Sequence, residues 1–403
     1  GSKGDGDEKG SGDKITIRLL TRMAGTTAQV DIYNDILDEF KEKHPEVTIV
    51  DDSQGDESAF NNILSTDIAS GTMANIFRIQ GVANLSEYID NGLILDVQPY
   101  LDEDPEWGGG FTEGALSYYQ VPGKEGTYAI PMESGLIGVY YNKDLFDKYG
   151  VEYPDENTTW EEFKDKCKQL TQDGNYGTVF ASSLDYYDPQ VLSLGGEIIN
   201  EKGEFDITGD KTTAALQSLA DLINVDKVAP KIADTANTVW NWEQFEGGNI
   251  GMLIDGPWTV TNVVNYCDFN VGYSIIPKAE KQVTTINGSA LAVTSESKHP
   301  KEAYQALEVL TSPEAQKLLA ENGRALPSRD SVRDYYYEST SEQEGLEDAI
   351  KKSIEIGMPY HVTKKYSEVS TVFNSGMDTV WAGEVSAEDA AKDIQAQVNM
   401  ILQ

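Results

Sequence analysis

Three short apolar runs alternate with two helix-like segments over residues 15–80, and this alternation limits the folds open to the chain. The runs ITIRLL, VTIV and NIFRI have the length and composition of buried strands. Between the first two, apolar residues recur at helical spacing, namely Val30, Tyr33, Leu37 and Phe40. A second helix is predicted over roughly Glu57 to Ser70, with Gly71 as its stop. This βαβαβ order predicts a parallel sheet covered by helices.

The loops after these strands are the predicted ligand side of that sheet. Ligands of open parallel sheets bind at the carboxyl ends of the strands. The loops that open at Arg22, Gln54 and Gln80 are therefore candidate binding loops.

A second unit is expected, because 403 residues exceed one ordinary hydrophobic core. It begins near YAIPMESGLIGVYYN, continues into a helix capped by Asn142, and then into one opened by a Thr159–Glu162 capping box. The run TTINGSALAVT returns the chain to the first sheet, Pro300 opens another helix, and the chain from Asp330 onward is predicted to be wholly helical. Residues 1–14 have the composition of a flexible tether.

Charge and composition exclude several function classes. There are 31 Lys and Arg against 68 Asp and Glu, a formal net charge of −37, which disfavours nucleic acid and anionic membrane surfaces as partners. The acidity is interpreted as a solvated surface. Cys167 lies on the apolar stripe of a predicted helix, so a disulfide with Cys267 is possible but not indicated. No apolar stretch is long enough to span a bilayer.

Motifs for catalysis are missing from the sequence. It has no GxSxG, HExxH, GxxxxGK[ST] or post-strand GxGxxG pattern. Of three histidines, His44 and His299 precede prolines at helix boundaries, which leaves His361. A pair of carboxylates of the glycosidase type stays open, because 68 acidic residues offer many chance pairs.

Aromatic residues in loop-like surroundings point instead to a carbohydrate. Trp258 in IDGPWTV follows an apolar strand and a Gly-Pro turn, where a flat ring can stack on a sugar. Further candidate ligand contacts, each with packing, exposure or ion pairing as the alternative reading, are Trp240, Trp242, Tyr186, Tyr187, Glu133, Arg22 and Arg324.

Several segments, in this order, resemble the extracellular solute-binding proteins of ABC importers, in the maltose-binding-protein-like carbohydrate family. They are FKEKHPEVTIV, IASGTMANIFRI, IPMESGLIGVYYNKDLFDKYGV, TTWEEFKDKCKQL, FEGGNIGMLIDGPW and KEAYQALEVLTSPEAQKLLAENGRALPSR. The resemblance implies an α/β, two-lobed periplasmic-binding-protein-like fold of type II, each lobe a mostly parallel sheet flanked by helices, with a hinge between. The expected lobes are 15–130 plus 289–325, and 131–288 plus 326–403. Where many relatives have Pro-Asp, this chain has Ala74-Asn75, which puts that Asp role in doubt.

The resemblance also implies a function and a set of site residues. The protein would capture a carbohydrate, expected to be an oligosaccharide, in an interlobe cleft and deliver it to an ABC permease, with no bond broken and no cofactor or metal. By position, Trp258, Glu133, Tyr186, Tyr187, Tyr360 and His361 match ligand-contact segments, and Arg22, Gln54 and Gln80 match loop positions. A monomer is expected, either lipid-anchored at a Gram-positive cell surface or periplasmic.

Two alternatives are kept, one from another class of protein and one that keeps the receptor but changes its ligand. One is a secreted glycan-active enzyme that holds its substrate with the same aromatics. The other is a receptor of the same fold for a cation, caged by Trp258, Trp240 and Tyr187 with Glu133.

Overall fold

The computed structural model of the protein describes residues 14–24, 27–80, 82, 84–112, 114–235, 241–323 and 325–403. The chain divides into two compact units. Unit 1 runs to Ser134 and includes Gly288–Tyr336, and unit 2 comprises Gly135–Asn287 and Tyr337–Gln403. The lobe boundaries predicted from the sequence remain a prediction.

The elements are given in chain order. The strands are β1 (Ile15–Leu20), β2 (Val47–Asp51), β3 (Ile76–Gln80), β4 (Ile130–Leu136), β5 (Gly138–Asn142), β6 (Tyr176–Val179), β7 (Ile250–Asp255), β8 (Val271–Ile275), β9 (Thr284–Val293) and β10 (Gly357–Pro359). The helices are α1 (Thr27–Lys43), α2 (Glu57–Ser70), α3 (Leu85–Asp90), α4 (Gln98–Glu103), α5 (Pro105–Gly108), α6 (Lys143–Tyr149), α7 (Trp160–Leu170), α8 (Leu184–Ser193), α9 (Asp210–Asn224), α10 (Asn241–Glu246), α11 (Val260–Tyr266), α12 (Pro300–Leu310), α13 (Pro313–Glu321), α14 (Arg333–Ser339), α15 (Leu346–Glu355), α16 (Tyr366–Trp381) and α17 (Ala387–Leu402).

The sheet of unit 1 is mostly parallel. Strand β1 lies between β2 and β3 and is parallel to both, as the βαβαβ pattern predicts. The later part of β9 then pairs antiparallel with β3, from Ser289 opposite Gln80 to Val293 opposite Ile76. The Asp56 side chain caps α2 by accepting from the Ala59 N–H, and Gly71 ends it at φ 68°. Leu20, the last residue of β1, pairs with Phe77 near the start of β3, so both strands run toward the same edge of the sheet and β3 extends three residues further.

The sheet of unit 2 corrects one part of the fold prediction. Its order is β6-β7-β5-β8, and β5 pairs antiparallel with both β7 and β8, while only the β6–β7 pair is parallel. This sheet is therefore not mostly parallel. An apolar run such as β5, which is buried along its length, shows that a strand is covered on both faces but carries no signal for its direction.

Local signals in unit 2 are mostly confirmed. The Asn142 side chain accepts from the Leu145 N–H, and Thr159 and Glu162 form the capping box of α7. The prediction of a wholly helical chain after Asp330 is wrong at β10, which pairs with the first residues of β9, Thr284 to Ile286. Three residues containing Pro359 are too short a run for a strand pattern to be visible.

Two further findings bear on the chain's class. In the described part of the chain, no helix combines the length and apolarity needed to cross a membrane. Both cysteines are free thiols, Cys167 in the core and Cys267 partly exposed. Burial raises the pKa of the Cys267 thiol to about 12.

Candidate functional site: an indole platform and an arginine-lined cavity

Trp258 lies in unit 2, just after the carboxyl end of a strand, as predicted. Strand β7 ends at Asp255, Gly256 and Pro257 turn the chain, and α11 follows. The indole rests on two glycines: a Cβ on Gly135 would lie 2.4 Å from its Cζ3, and a Cβ on Gly256 would lie 2.3 Å from it. Although these two glycines lie against the indole, the residue is still 38% exposed. Such a ring is available for stacking.

Tyr186 fixes the orientation of that ring. The Trp258 Nε1–H donates to the Tyr186 Oη at 3.1 Å, and the two rings meet edge to face at 6.0 Å. Tyr186 itself is partly buried on α8, and that burial raises the pKa of its hydroxyl well above the usual range. It stays a neutral hydrogen-bonding group at physiological pH.

Asp255 stabilises the turn that contains Trp258, although no motif in the sequence pointed to it. Its carboxylate, 3% exposed, accepts from the Gly256 N–H at 2.7 Å and from the Thr259 hydroxyl at 2.9 Å. Burial raises its pKa to about 7 in spite of these bonds. The carboxylate thereby holds the turn that presents Trp258. The only sequence signal was its position before Gly-Pro.

Asn287 supplies a hydrogen-bond acceptor beside the indole. Its Oδ1 is buried without a hydrogen-bond partner and would lie 2.8 Å from a Cβ on Gly135, the same glycine that contacts Trp258. A buried amide oxygen without a donor is costly. A ligand hydroxyl that displaced the atoms covering Oδ1 would satisfy this acceptor beside the indole.

Unit 1 has a second candidate surface, where the chain leaves the carboxyl end of β1 beside the middle of β3. A cavity of about 370 Å³, including the part open to solvent, is lined by Thr21, Arg22, Met23, Arg78, Met132, Glu133, Ser289, Leu319 and Ala325. Glu133 accepts from the Ser289 hydroxyl at 2.6 Å and pairs with Arg78, Oε1 to Nη2, at 3.5 Å. Arg78 was not predicted as a site residue. It lies inside a strand, and nothing in the local sequence distinguishes it from any other half-buried residue of a strand.

The three predicted loop positions have different outcomes. Arg22 lines the cavity and donates through Nη2 to the Gly55 carbonyl at 2.8 Å. The Gln54 side chain instead donates to the Asp52 carbonyl of its own loop. Gln80 ends β3 opposite Ser289, and its side chain lies outside what the structure describes. Arg324 and Trp240 also lie outside the described residues.

Two predicted contacts are corrected to core residues of unit 2. Tyr187, 1% exposed, packs against Phe180 and Trp381. Tyr360, 4% exposed, hydrogen-bonds through its hydroxyl to that of Tyr366. Neither ring can stack on a ligand from these positions, because no face is open. Aromatic side chains next to polar residues look the same in sequence whether their rings point outward or inward.

The other aromatic and histidine candidates keep partial exposure. His361 is partly buried, and burial lowers its pKa from the usual value. Trp242 stacks on Tyr266 at 6.1 Å, on the α10–α11 side of unit 2. Among the described residues there is no cluster of His, Cys, Asp or Glu that could hold a metal ion.

Asp188, buried on α8 beside Tyr187, predicts a pH dependence of stability. Burial, with Asp185 and Glu197 adding repulsion, raises its pKa to about 7 from 3.8. The folded state thus binds this proton more tightly, so the free energy of unfolding falls as pH rises from about 4 to about 7. Asp188→Asn should be roughly 1 to 4 kcal/mol more stable than the parent at pH 8, and similar to it at pH 4.

Thermal or urea unfolding at the two pH values measures this. Glu384→Gln, the same charge change at an exposed residue, is the control and should shift stability little at either pH. A stability difference for Asp188→Asn that does not change with pH would contradict the assignment.

Comparison with known proteins decides the family. Residues 24–317 match the model of the family described as bacterial extracellular solute-binding protein. The chain belongs to this family. This solute-binding protein is 25% identical over 317 residues to the lactose-binding protein of Rhizobium radiobacter, covering 73% of this chain and 71% of that one. It is 22% identical over 326 residues to the multiple sugar-binding protein of Streptococcus mutans, covering 75% and 72%.

Solved structures confirm the α/β fold class. An ABC substrate-binding protein from Listeria monocytogenes, solved in complex with cycloalternan, superposes on the solute-binding protein with a TM-score of 0.85 at 22% identity, covering 97% of this chain and 99% of that one. A maltose-bound MalE3 of T. maritima gives 0.76 at 22% identity, covering 96% and 99%. The names of the lactose-binding protein and the Listeria protein are those of binding proteins.

Proposed function

We propose that the protein is the carbohydrate-capturing subunit of an ABC importer, and that Trp258 is its central stacking surface. The observation that carries this proposal is the support of that ring. Two glycines lie against the indole, Tyr186 accepts from its Nε1–H, and Trp258 remains 38% exposed. Exposure of a large, rigid apolar ring to water is unfavourable in free energy. A pyranose stacked on the ring would cover that surface and offset the unfavourable term.

Polar groups near the ring and in unit 1 suit the hydroxyls of a sugar. The unpartnered Asn287 Oδ1 is an acceptor, and Glu133 and Arg22 offer carboxylate and guanidinium groups in the cavity of unit 1. The names of relatives that bind lactose, multiple sugars and cycloalternan support the same ligand class. The ligand is expected to be an oligosaccharide.

The two alternatives are less well supported. A cation cage needs Tyr187, which is in the core, and Trp240, which lies outside the described residues. A glycan-active enzyme needs a positioned carboxylate pair, whereas the buried Asp255 hydrogen-bonds to Gly256 and Thr259, and Glu133 pairs with Arg78.

Location and partners follow from the same proposal. As the capture subunit, the protein would deliver its cargo to the transmembrane permease as a monomer outside the cytoplasmic membrane. Lipid anchoring at the cell surface, or residence in a periplasm, is part of this proposal.

Calorimetric titration with a panel of neutral plant, host and storage oligosaccharides tests the function. We expect saturable binding of at least one class, with the oligosaccharide recovered intact. Release of new reducing ends would establish the enzyme instead. Binding of quaternary ammonium compounds that weakens with salt, with no response to sugars, would establish the cation receptor.

Ligand-induced compaction is a further prediction. If two lobes close on the cargo, saturating ligand should lower the radius of gyration measured by small-angle X-ray scattering. The same titration with Trp258→Ala at equal sugar concentration is the control. An unchanged radius at proven saturation would contradict hinge closure.

A further inference from the structure

The cavity of unit 1 contains an unpaired positive charge. Its lining has three charged residues, Arg22, Arg78 and Glu133. Arg78 and Glu133 form an ion pair, so their charges offset each other. Within the described residues no carboxylate pairs with Arg22, whose Nη2 donates to the neutral carbonyl of Gly55. The cavity therefore carries about one net positive charge in a chain whose formal net charge is −37.

The guanidinium of Arg22 also has a donor to spare. Its Nε is buried and has no hydrogen-bond partner. A buried N–H on a charged group is expensive to leave unpaired, and a carboxylate is one of the anionic groups with which a guanidinium forms strong, bidentate hydrogen bonds. A neutral hydroxyl would satisfy the hydrogen bond but leave the charge without a counter-ion.

The helix that follows the loop of Arg22 in the sequence has no acidic residue in its first turn. This helix, α1, begins at Thr27, four residues after the lining residue Met23. The amino end of a 17-residue helix is the positive end of its dipole. An Asp or Glu in the first turn would offset this positive end of the dipole. The first turn contains neither, although the chain has 68 acidic residues.

We propose that this cavity selects a carbohydrate that carries a carboxylate, that is, a uronate-containing oligosaccharide, with Arg22 as the group that recognises the anion. The proposal rests on the carbohydrate function proposed above and narrows its ligand class. The repulsive field of the acidic surface is screened over roughly 8–10 Å at physiological salt, so the local pairing decides the preference.

Matched pairs of sugars test this. The probes are maltotriose, cellotriose and xylotriose, each compared by calorimetry with a counterpart that carries one uronate group. At least one uronate counterpart should bind about ten-fold or more tightly than its neutral parent. The preference should shrink between 50 mM and 500 mM NaCl, because an ion pair is screened.

Arg22→Gln is the decisive variant. It keeps an amide donor but loses the charge, so it should abolish the preference for the uronate while binding of the neutral parent falls less. Lys231→Gln, the same charge loss at an exposed residue of unit 2, is the control and should keep the preference. Melting temperatures of both variants check that the fold is retained.

The outcomes separate the two proposals. Neutral parents that bind as tightly as, or more tightly than, all their uronate counterparts would overturn the uronate proposal and leave the carbohydrate function standing. A uronate preference that survives Arg22→Gln would overturn the role of Arg22. Failure of every sugar, neutral or acidic, would overturn the proposed function together with this inference.

Discussion

Trp258→Ala is expected to weaken carbohydrate binding by on the order of 2 kcal/mol or more, which is about thirty-fold in Kd. The variant removes the stacking face and leaves the Tyr186 hydroxyl without the Nε1–H that it accepts. Stability should change little, because the indole is 38% exposed and contributes less to the core than a buried ring. Calorimetry with the best ligand of the oligosaccharide panel measures the loss.

Trp242→Ala is the matched control for this substitution. Trp242 is also a partly exposed tryptophan of unit 2, but it stacks on Tyr266 and not on Tyr186. Its loss should leave the affinity for a short sugar within about three-fold of the parent. Unchanged affinity in Trp258→Ala, or an equal loss in both variants, would remove Trp258 as the central contact.

Position at a strand end was the part of the site that the sequence predicted well. Trp258 and Arg22 follow strands directly, and the run of strands and helices in unit 1 was readable because its periodicities are strong. Glu133 lies on β4, in the strand-like run IPMESGL of the sequence. In each of these cases one local pattern fixes both the element and the place of the residue within it.

Partners that meet through tertiary contacts could not be predicted. Asp255 and Asn287 are 32 positions apart, yet both lie near Trp258: Asp255 accepts from the Gly256 N–H, and Asn287 lies beside Gly135. Tyr187 and Tyr360 share the composition of ligand-contact segments, but their rings turn into the core of unit 2. The direction of a side chain from a helix or loop depends on what packs there, which one sequence does not show.

The prediction that β5 belongs to a mostly parallel sheet was wrong for a related reason. Its residues are buried on both faces, which is typical of a parallel strand, but it pairs antiparallel with β7 and β8. Burial depends on the helices that cover the sheet, whereas direction depends on the connections. The hydrophobic pattern of a strand therefore predicts its burial but not its direction.

Gly135→Ala should weaken carbohydrate binding about ten-fold or more although it leaves every proposed contact residue in place. The new Cβ would lie 2.4 Å from Cζ3 of Trp258 and 2.8 Å from Oδ1 of Asn287, closer than real contacts allow. Both groups must move, so the stacking face and the acceptor lose their common geometry. Calorimetry measures the affinity, and the tryptophan fluorescence of the free protein should shift as the indole is displaced.

Gly209→Ala is the control for the glycine change itself. A Cβ there has nothing within 4 Å, and the backbone at φ −63° accepts alanine, so affinity should not change. Gly256→Ala, which presses on the same indole at 2.3 Å, provides a second displacement if Gly135→Ala folds poorly. Full affinity in folded Gly135→Ala and Gly256→Ala would show that the glycine-supported position of Trp258 is irrelevant to binding. A loss in both, with Trp258 still present, would show that the sugar depends on where the ring is held as well as on the ring itself.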